Sequence, residues 1–124
     1  MIPGSRSDHP SFRKSFLFAF QGLRAALRSE RTIKVMAVMG AAAVVAGLVV
    51  GLDATSWCVL LLCCGCVLGA ELMNTAVETV VDLVSPEYHP LAGRAKDVAA
   101  AAVWTLCAFV AVVGVILFAR AILS

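Results

Sequence analysis

Charge is scarce in this chain. Eight acidic and ten basic residues make up 15% of 124, against 61% hydrophobic residues and a mean hydropathy of +0.95. That balance excludes an ordinary soluble domain. Also missing are a Gly-x-x-x-x-Gly-Lys-Ser/Thr loop, the Gly-rich and catalytic-loop patterns of soluble phosphotransferases, and a Ser-His-Asp order, so the common soluble nucleotide and hydrolase sites are excluded. Residues 1–34 hold no apolar core of about 7–15 residues followed by a small-residue cleavage site, so no cleavable signal peptide is expected and the first span must direct insertion.

What remains is apolar and helical in pattern. Three stretches, Val35 to Leu52, Trp57 to Val84 and Val98 to Leu123, can each cross about 30 Å of hydrocarbon at ~1.5 Å per residue. The middle one exceeds that need, so its second half is expected to reach the membrane surface. Seven of the ten basic residues precede the first span: Arg6, Arg13, Lys14, Arg24, Arg28, Arg31 and Lys34. Arg94 and Lys96 follow the second span, Arg120 stands near the end, and the Asp53 to Ser56 connection has neither Lys nor Arg. The positive-inside rule then puts the N-terminus and the Ser85 to Asp97 connection in the cytoplasm of a cell-membrane protein, with the C-terminus outside.

Residues 1–10, rich in Pro, Gly, Ser and Asp, read as a disordered tail, and residues 11–124 as one membrane domain. From Ser11 to about Arg31, Phe16, Phe20, Leu23 and Leu27 recur at helical spacing, while Lys14, Gln21, Arg24 and Arg28 share another face. This predicts an amphipathic surface helix on an anionic leaflet, which could serve merely as an anchor. The fold class is therefore all-α: a surface helix plus three transmembrane helices. Ala43, Gly47 and Gly51, then Gly65 and Gly69, recur every fourth residue, and Ala99 to Ala102 open the third span. Small residues so spaced predict close helix contacts in lipid, and a homo-oligomer would help cover them. Cys58, Cys63, Cys64, Cys66 and Cys107 all fall in spans. A thiolate site there would need charge in hydrocarbon, so they read as polarizable filler despite the C-x-x-C spacing of Cys63 and Cys66.

Against this background the run Glu71-Leu72-Met73-Asn74-Thr75-Ala76-Val77-Glu78-Thr79-Val80-Val81-Asp82 stands out. Offsets of three, seven and eleven residues put Glu71, Asn74, Glu78 and Asp82 within an arc of about 80° on one helical face. Each ionisable group at membrane depth costs roughly 2.5 kcal/mol or more, so the stripe predicts a site facing a bundle interior or wet cavity. Depth divides it. Counting from Trp57, Glu71 lies about 21 Å along the helix and Glu78 about 31 Å, so Glu71 can meet a lipid headgroup and Glu78 a nucleotide. Asp82 reads as a helix-end or loop-anchoring group.

The following connection, Ser85-Pro86-Glu87-Tyr88-His89-Pro90-Leu91-Ala92-Gly93-Arg94-Ala95-Lys96-Asp97, reads as a hinge in which Pro86 and Pro90 redirect the chain and Gly93 permits close approach. Phosphoryl transfer needs a metal on the polyphosphate, a cation near the transferring group and a base for the attacking hydroxyl. Glu78 with a second carboxylate such as Glu30 suits Mg²⁺, Lys96 suits phosphate, and Glu71 suits the base with Asn74 orienting it.

The residues Glu71-x-x-Asn74-Thr75-Ala76-Val77-Glu78-x-x-Val81-Asp82, Glu87-Tyr88-His89 and Ala95-Lys96-Asp97, with Gly22-Leu23-Arg24-Ala25-Ala26 and Glu30 upstream, resemble the small prokaryotic diacylglycerol kinase family, which includes undecaprenol kinases. The resemblance spans about residues 12–120 and is strongest from Glu71 to Val103. It implies a homotrimer with active sites shared between chains, and ATP-dependent phosphorylation of a membrane lipid alcohol. It further implies Glu71 as catalytic base with Asn74 in the catalytic stripe, Glu30 and Glu78 as Mg²⁺ ligands, and Glu78, Glu87, Tyr88, His89, Lys96 and Asp97 as nucleotide contacts. Arg24 matches a position near the lipid substrate. Arg13 and Lys14 stand at a spacing that departs from the diacylglycerol-specific branch, and Met36 occupies a place where the family often has an ionisable residue. Asn74-Thr75-Ala76, Val81-Asp82-Leu83, Ser29-Glu30-Arg31 and Lys96-Asp97-Val98-Ala99-Ala100 favour undecaprenol as substrate, whereas Gly93-Arg94-Ala95-Lys96-Asp97 looks more like the diacylglycerol branch. Two other classes compete: a non-enzymatic oligomeric subunit or ion-binding channel, for which the stripe would line a pore, and a scaffold that has lost catalysis.

Overall fold

A computed structural model of the protein describes residues 12–124. The tail expected at 1–10, and Ser11, lie outside the described residues. Four helices follow in order: α1 (Phe12–Ser29), α2 (Arg31–Val50), α3 (Ala54–Val84) and α4 (Pro90–Leu123). The last three are long and apolar enough to cross a membrane. At 31 and 34 residues, α3 and α4 extend about 46 Å and 51 Å at ~1.5 Å per residue, so each outruns the hydrocarbon layer.

One extended residue separates α1 from α2. Glu30 has φ −105° and ψ 115°, and its N–H still reaches Ala26 O at 2.9 Å. The surface helix thus ends before Arg31, and Arg31 to Lys34 form the first turn of α2 instead of preceding the span. Hydropathy changes at residue 35, but no Gly or Pro is there to stop the helix, so the polar turn belongs to α2.

At the opposite end Gly51, with φ 77°, closes α2 by donating its N–H to Gly47 O at 2.9 Å. The left-handed conformation favours glycine. Gly51, expected as a contact residue, is therefore a helix cap. Gly47 does make the close approach: a Cβ there would lie 2.9 Å from Leu52 Cδ1 and 3.0 Å from Trp57 Cη2. Asp53 caps α3, its Oδ1 accepting from Ser56 N at 2.8 Å, while Oδ2 accepts from Arg120 on α4 at 3.3 Å. The hydrogen bonds from Ser56, with help from Arg120, hold the Asp53 carboxyl below its ordinary pKa.

The α3–α4 connection is shorter than expected. Pro90 opens α4 at its first position, and His89 Nδ1 accepts from Leu91 N at 3.1 Å. A proline redirects a helix from within, but at the first turn its missing N–H costs nothing. Arg94, Lys96 and Asp97, expected in a connector running to Asp97, thus stand on α4, and only Ser85 to His89 form the turn.

The core is thin. Leu52, Leu60 and Leu117 pack with Trp57 and Phe118 near the Gly51 end, and Ile33 is fully buried toward the other. Many large apolar side chains, including Val38, Leu48, Leu62, Phe109 and Val115, face outward. That is the inverse of a water-soluble fold and suits lipid or a second chain. Among the described residues, no other helix comes within 4 Å of a Cβ added at Gly65 or Gly69, so the close helix contact expected there is not made.

Candidate active site in the helix bundle

Glu71 and Asn74 are buried on α3, at 6% and 8% exposure. Together with Ser56 they are the buried polar residues among those described. The packing of α2 and α4 against α3 places them on a cavity of about 260 Å³ lined by Glu30, Thr32, Met36, Glu71, Asn74, Glu78, Ala100, Val103, Trp104 and Cys107. The α3 members follow the three- and four-residue spacing of the stripe. Glu30 joins them because the extended residue between α1 and α2 lands beside α3, and both Glu30 and Glu78 are charge neighbours of Glu71. Three carboxylates and one amide from a single chain thus share one space.

Asn74 Nδ2 donates to Glu78 Oε1 at 3.0 Å, which fixes the amide and commits one carboxylate oxygen. Asn74 Oδ1 is buried and has no hydrogen-bond donor among the described residues. A buried acceptor without a partner is costly, about 1–3 kcal/mol, so a donor from water or a bound molecule would satisfy it. A cavity of carboxylate and carbonyl oxygens offers acceptors for a hydroxyl and hard ligands for a divalent cation.

Asp82, the fourth residue of the stripe, does not enter the cavity. Its Oδ1 pairs with Lys96 Nζ at 2.5 Å across the α3–α4 hairpin. Lys96 is also a charge neighbour of Glu78. The remaining residues expected at the site stand apart from the cavity lining: Glu87, Tyr88 and His89 occupy the exposed turn, with Tyr88 88% exposed, Asp97 is exposed on α4, and Arg24 is exposed on α1. Arg24's helix does border a separate cleft of about 450 Å³, whose lining includes Gly22, Ser29, Glu30, Thr75 and Thr79. Glu30 therefore faces both spaces.

Sequence reasoning passed over the α4 side of the cavity. Ala100, Val103, Trp104 and Cys107 fall at offsets of three, four and seven, one helical face that the pattern does contain. A run apolar all round gave no reason to prefer that face. Met36 and Cys107 also line an adjoining apolar cavity of about 270 Å³, with Leu60, Cys63, Cys64, Val110 and Phe118. Polar and apolar spaces thus share two lining side chains. The five cysteines carry free thiols.

The sequence profile of prokaryotic diacylglycerol kinase matches residues 17–118. The undecaprenol kinase of Bacillus subtilis (strain 168) is 35% identical over 113 residues, 91% of this chain and 92% of that protein. The diacylglycerol kinase of Synechocystis sp. is 37% identical over 116 residues, 93% of this chain and 66% of that protein. That of Escherichia coli (strain K12) is 38% identical over 86 residues, 69% of this chain and 70% of that protein. The acid cavity, the three apolar helices and a match covering most of the chain lead to one assignment: the protein belongs to the prokaryotic diacylglycerol kinase family and is a multi-pass membrane lipid kinase.

Proposed function

We propose that the protein transfers the γ-phosphoryl group of ATP to the hydroxyl of a membrane lipid alcohol, undecaprenol in preference to diacylglycerol, in a Mg²⁺-dependent reaction at the cytoplasmic face of the cell membrane. The observation that carries this reading is the gathering of Glu30, Glu71, Asn74 and Glu78 on one cavity that adjoins an apolar space. Glu71, the buried acid, accepts the proton of the lipid hydroxyl as its oxygen bonds to the γ-phosphorus and the bond to ADP breaks. Asn74, hydrogen-bonded through Nδ2 to Glu78, orients the acidic groups around that hydroxyl, and the adjoining apolar cavity receives the first carbons of the tail.

Glu30 and Glu78 would hold Mg²⁺. No cluster of three His, Cys, Asp or Glu side chains forms a protein cage among the described residues, and the two carboxylates suit an ion that takes one or two protein ligands, water and substrate phosphates. The cation, when bound, neutralises charge on the transferring phosphoryl group. Lys96, with Asp97 and the exposed Glu87, Tyr88 and His89, forms the nucleotide side, and Arg24 borders the lipid headgroup. The basic N-terminal region favours the cytoplasmic orientation, since seven of ten cationic residues lie there. A homotrimer would cover the outward-facing Gly65 and Gly69 and complete sites between chains. The preference for undecaprenol is supported by the near full-length match to an undecaprenol kinase. The diacylglycerol reading is supported by matches of slightly higher identity, 37% and 38%, that cover less of those proteins.

The test is phosphorylation of undecaprenol and diacylglycerol, side by side, by purified protein in lipid with ATP and Mg²⁺. Undecaprenol is expected to give the larger kcat/KM. A larger value for diacylglycerol would reverse the substrate assignment, and turnover of neither by folded protein would overturn the whole reading.

A further inference from the structure

Asp82 and Lys96 stand in a definite relation to the acid cavity. Glu78 lines it on α3 and Ala100 lines it on α4. Asp82 is four residues beyond Glu78 and Lys96 four residues before Ala100, so each stands one helical turn closer to the Ser85–His89 turn. Their ion pair therefore spans the hairpin at that end of the cavity. Both side chains are solvent-accessible, at 40% for Lys96 and 64% for Asp82. An accessible pair of this kind contributes little to stability, so its placement calls for another explanation.

An ammonium on a four-carbon stem is mobile and has three N–H donors. One committed to Asp82 leaves two for another anion. We propose that Asp82 is a positioning residue: it holds the Lys96 ammonium beside Glu78 so that the remaining donors meet the phosphate oxygens of the nucleotide. This rests on the lipid-kinase reading of the cavity, in which phosphate lies between Glu78 and Lys96. Asp82 itself touches neither substrate. The pair's accessibility lets the cation be shared with a polyanion without the cost of breaking a buried contact.

The experiment compares wild type, Asp82→Asn, Asp82→Glu, Lys96→Met and the double variant Asp82→Asn/Lys96→Met, all full length in lipid nanodiscs. Lys96 modification by an amine reagent is followed by mass spectrometry with and without MgATP, alongside lipid phosphorylation at varied ATP. Asp82→Asn is expected to speed labelling of Lys96 and to weaken its protection by MgATP. It should raise the KM for ATP about two- to fivefold, the factor an accessible pair corresponds to, with a smaller change in kcat. Asp82→Glu should restore both readouts, and the double variant should match Lys96→Met alone. Unchanged labelling, equal MgATP protection in wild type and Asp82→Asn, a lower KM, or additive effects in the double variant would each overturn the proposal. Should wild type phosphorylate no lipid, the kinase reading fails by itself, and the labelling and protection results still decide the role of Asp82.

Discussion

Replacing Glu71 by Gln separates chemistry from folding more cleanly than any other change in this molecule. Glutamine keeps the shape of the side chain but cannot take a proton from the lipid hydroxyl. A positioned general base is worth about 10²- to 10⁴-fold in rate, or about 3–5 kcal/mol of activation free energy, so Glu71→Gln should lower kcat by at least about a hundredfold on that scale. Folding should respond in the opposite direction. Glu71 is 6% exposed and shares its cavity with Glu30 and Glu78, so the substitution removes a poorly hydrated charge from between two like charges. The midpoint of thermal unfolding in lipid or mild detergent should stay level or rise. The assay pairs initial rates at saturating lipid and ATP with unfolding curves on the same preparation. A rate within tenfold of wild type would remove Glu71 from the base role. A collapse of both rate and stability would instead make it a structural residue.

Two further perturbations act at the other end of the bundle. Gly47→Ala places a methyl group 2.9 Å from Leu52 Cδ1 and 3.0 Å from the Trp57 ring, so the Leu52 side chain must shift and the Trp57 ring must give way slightly. Overpacking of this kind costs about 1–3 kcal/mol, read as a lower unfolding midpoint, and an unchanged midpoint would mean the Trp57 ring moves freely. Asp53 carries the pH dependence: its folded carboxyl lies below the ordinary value near 3.9 because Ser56 and Arg120 favour the charged form. A depressed folded pKa gives stabilisation that is complete above the unfolded value and lost as pH falls through the folded one. The advantage of wild type over Asp53→Asn in unfolding midpoint should therefore be constant from pH 5 to 7 and shrink below about pH 4. An advantage that persisted at pH 3 would place the stabilisation elsewhere.

The position of Pro90 shows where local reading stopped. The same residue ends a helix or begins one, depending on whether it falls in an interior turn or the first, and the sequence around it permits both. The His89 ring accepting from Leu91 N decides the matter, and with it the placement of Lys96 on a helix. Gly51 was legible as special but not in kind, since a small contact residue and a left-handed cap look alike in a four-residue repeat. The pairings Asp53–Arg120 and Asp82–Lys96 join residues 67 and 14 positions apart, and no periodicity carries such information.

The sequence by itself determined the membrane setting, the helix count and the face on which Glu71, Asn74 and Glu78 lie. These follow from hydropathy and a 3.6-residue period, which are properties of a single helix. The tertiary structure alone decided that an apolar space adjoins the acid cavity and that Asp82 pairs with Lys96, and it set Glu30, already matched with Glu78 by resemblance, in the cavity lining. Those outcomes depend on how α2 and α4 pack against α3, because one helix fixes which side chains share a face but not what that face meets.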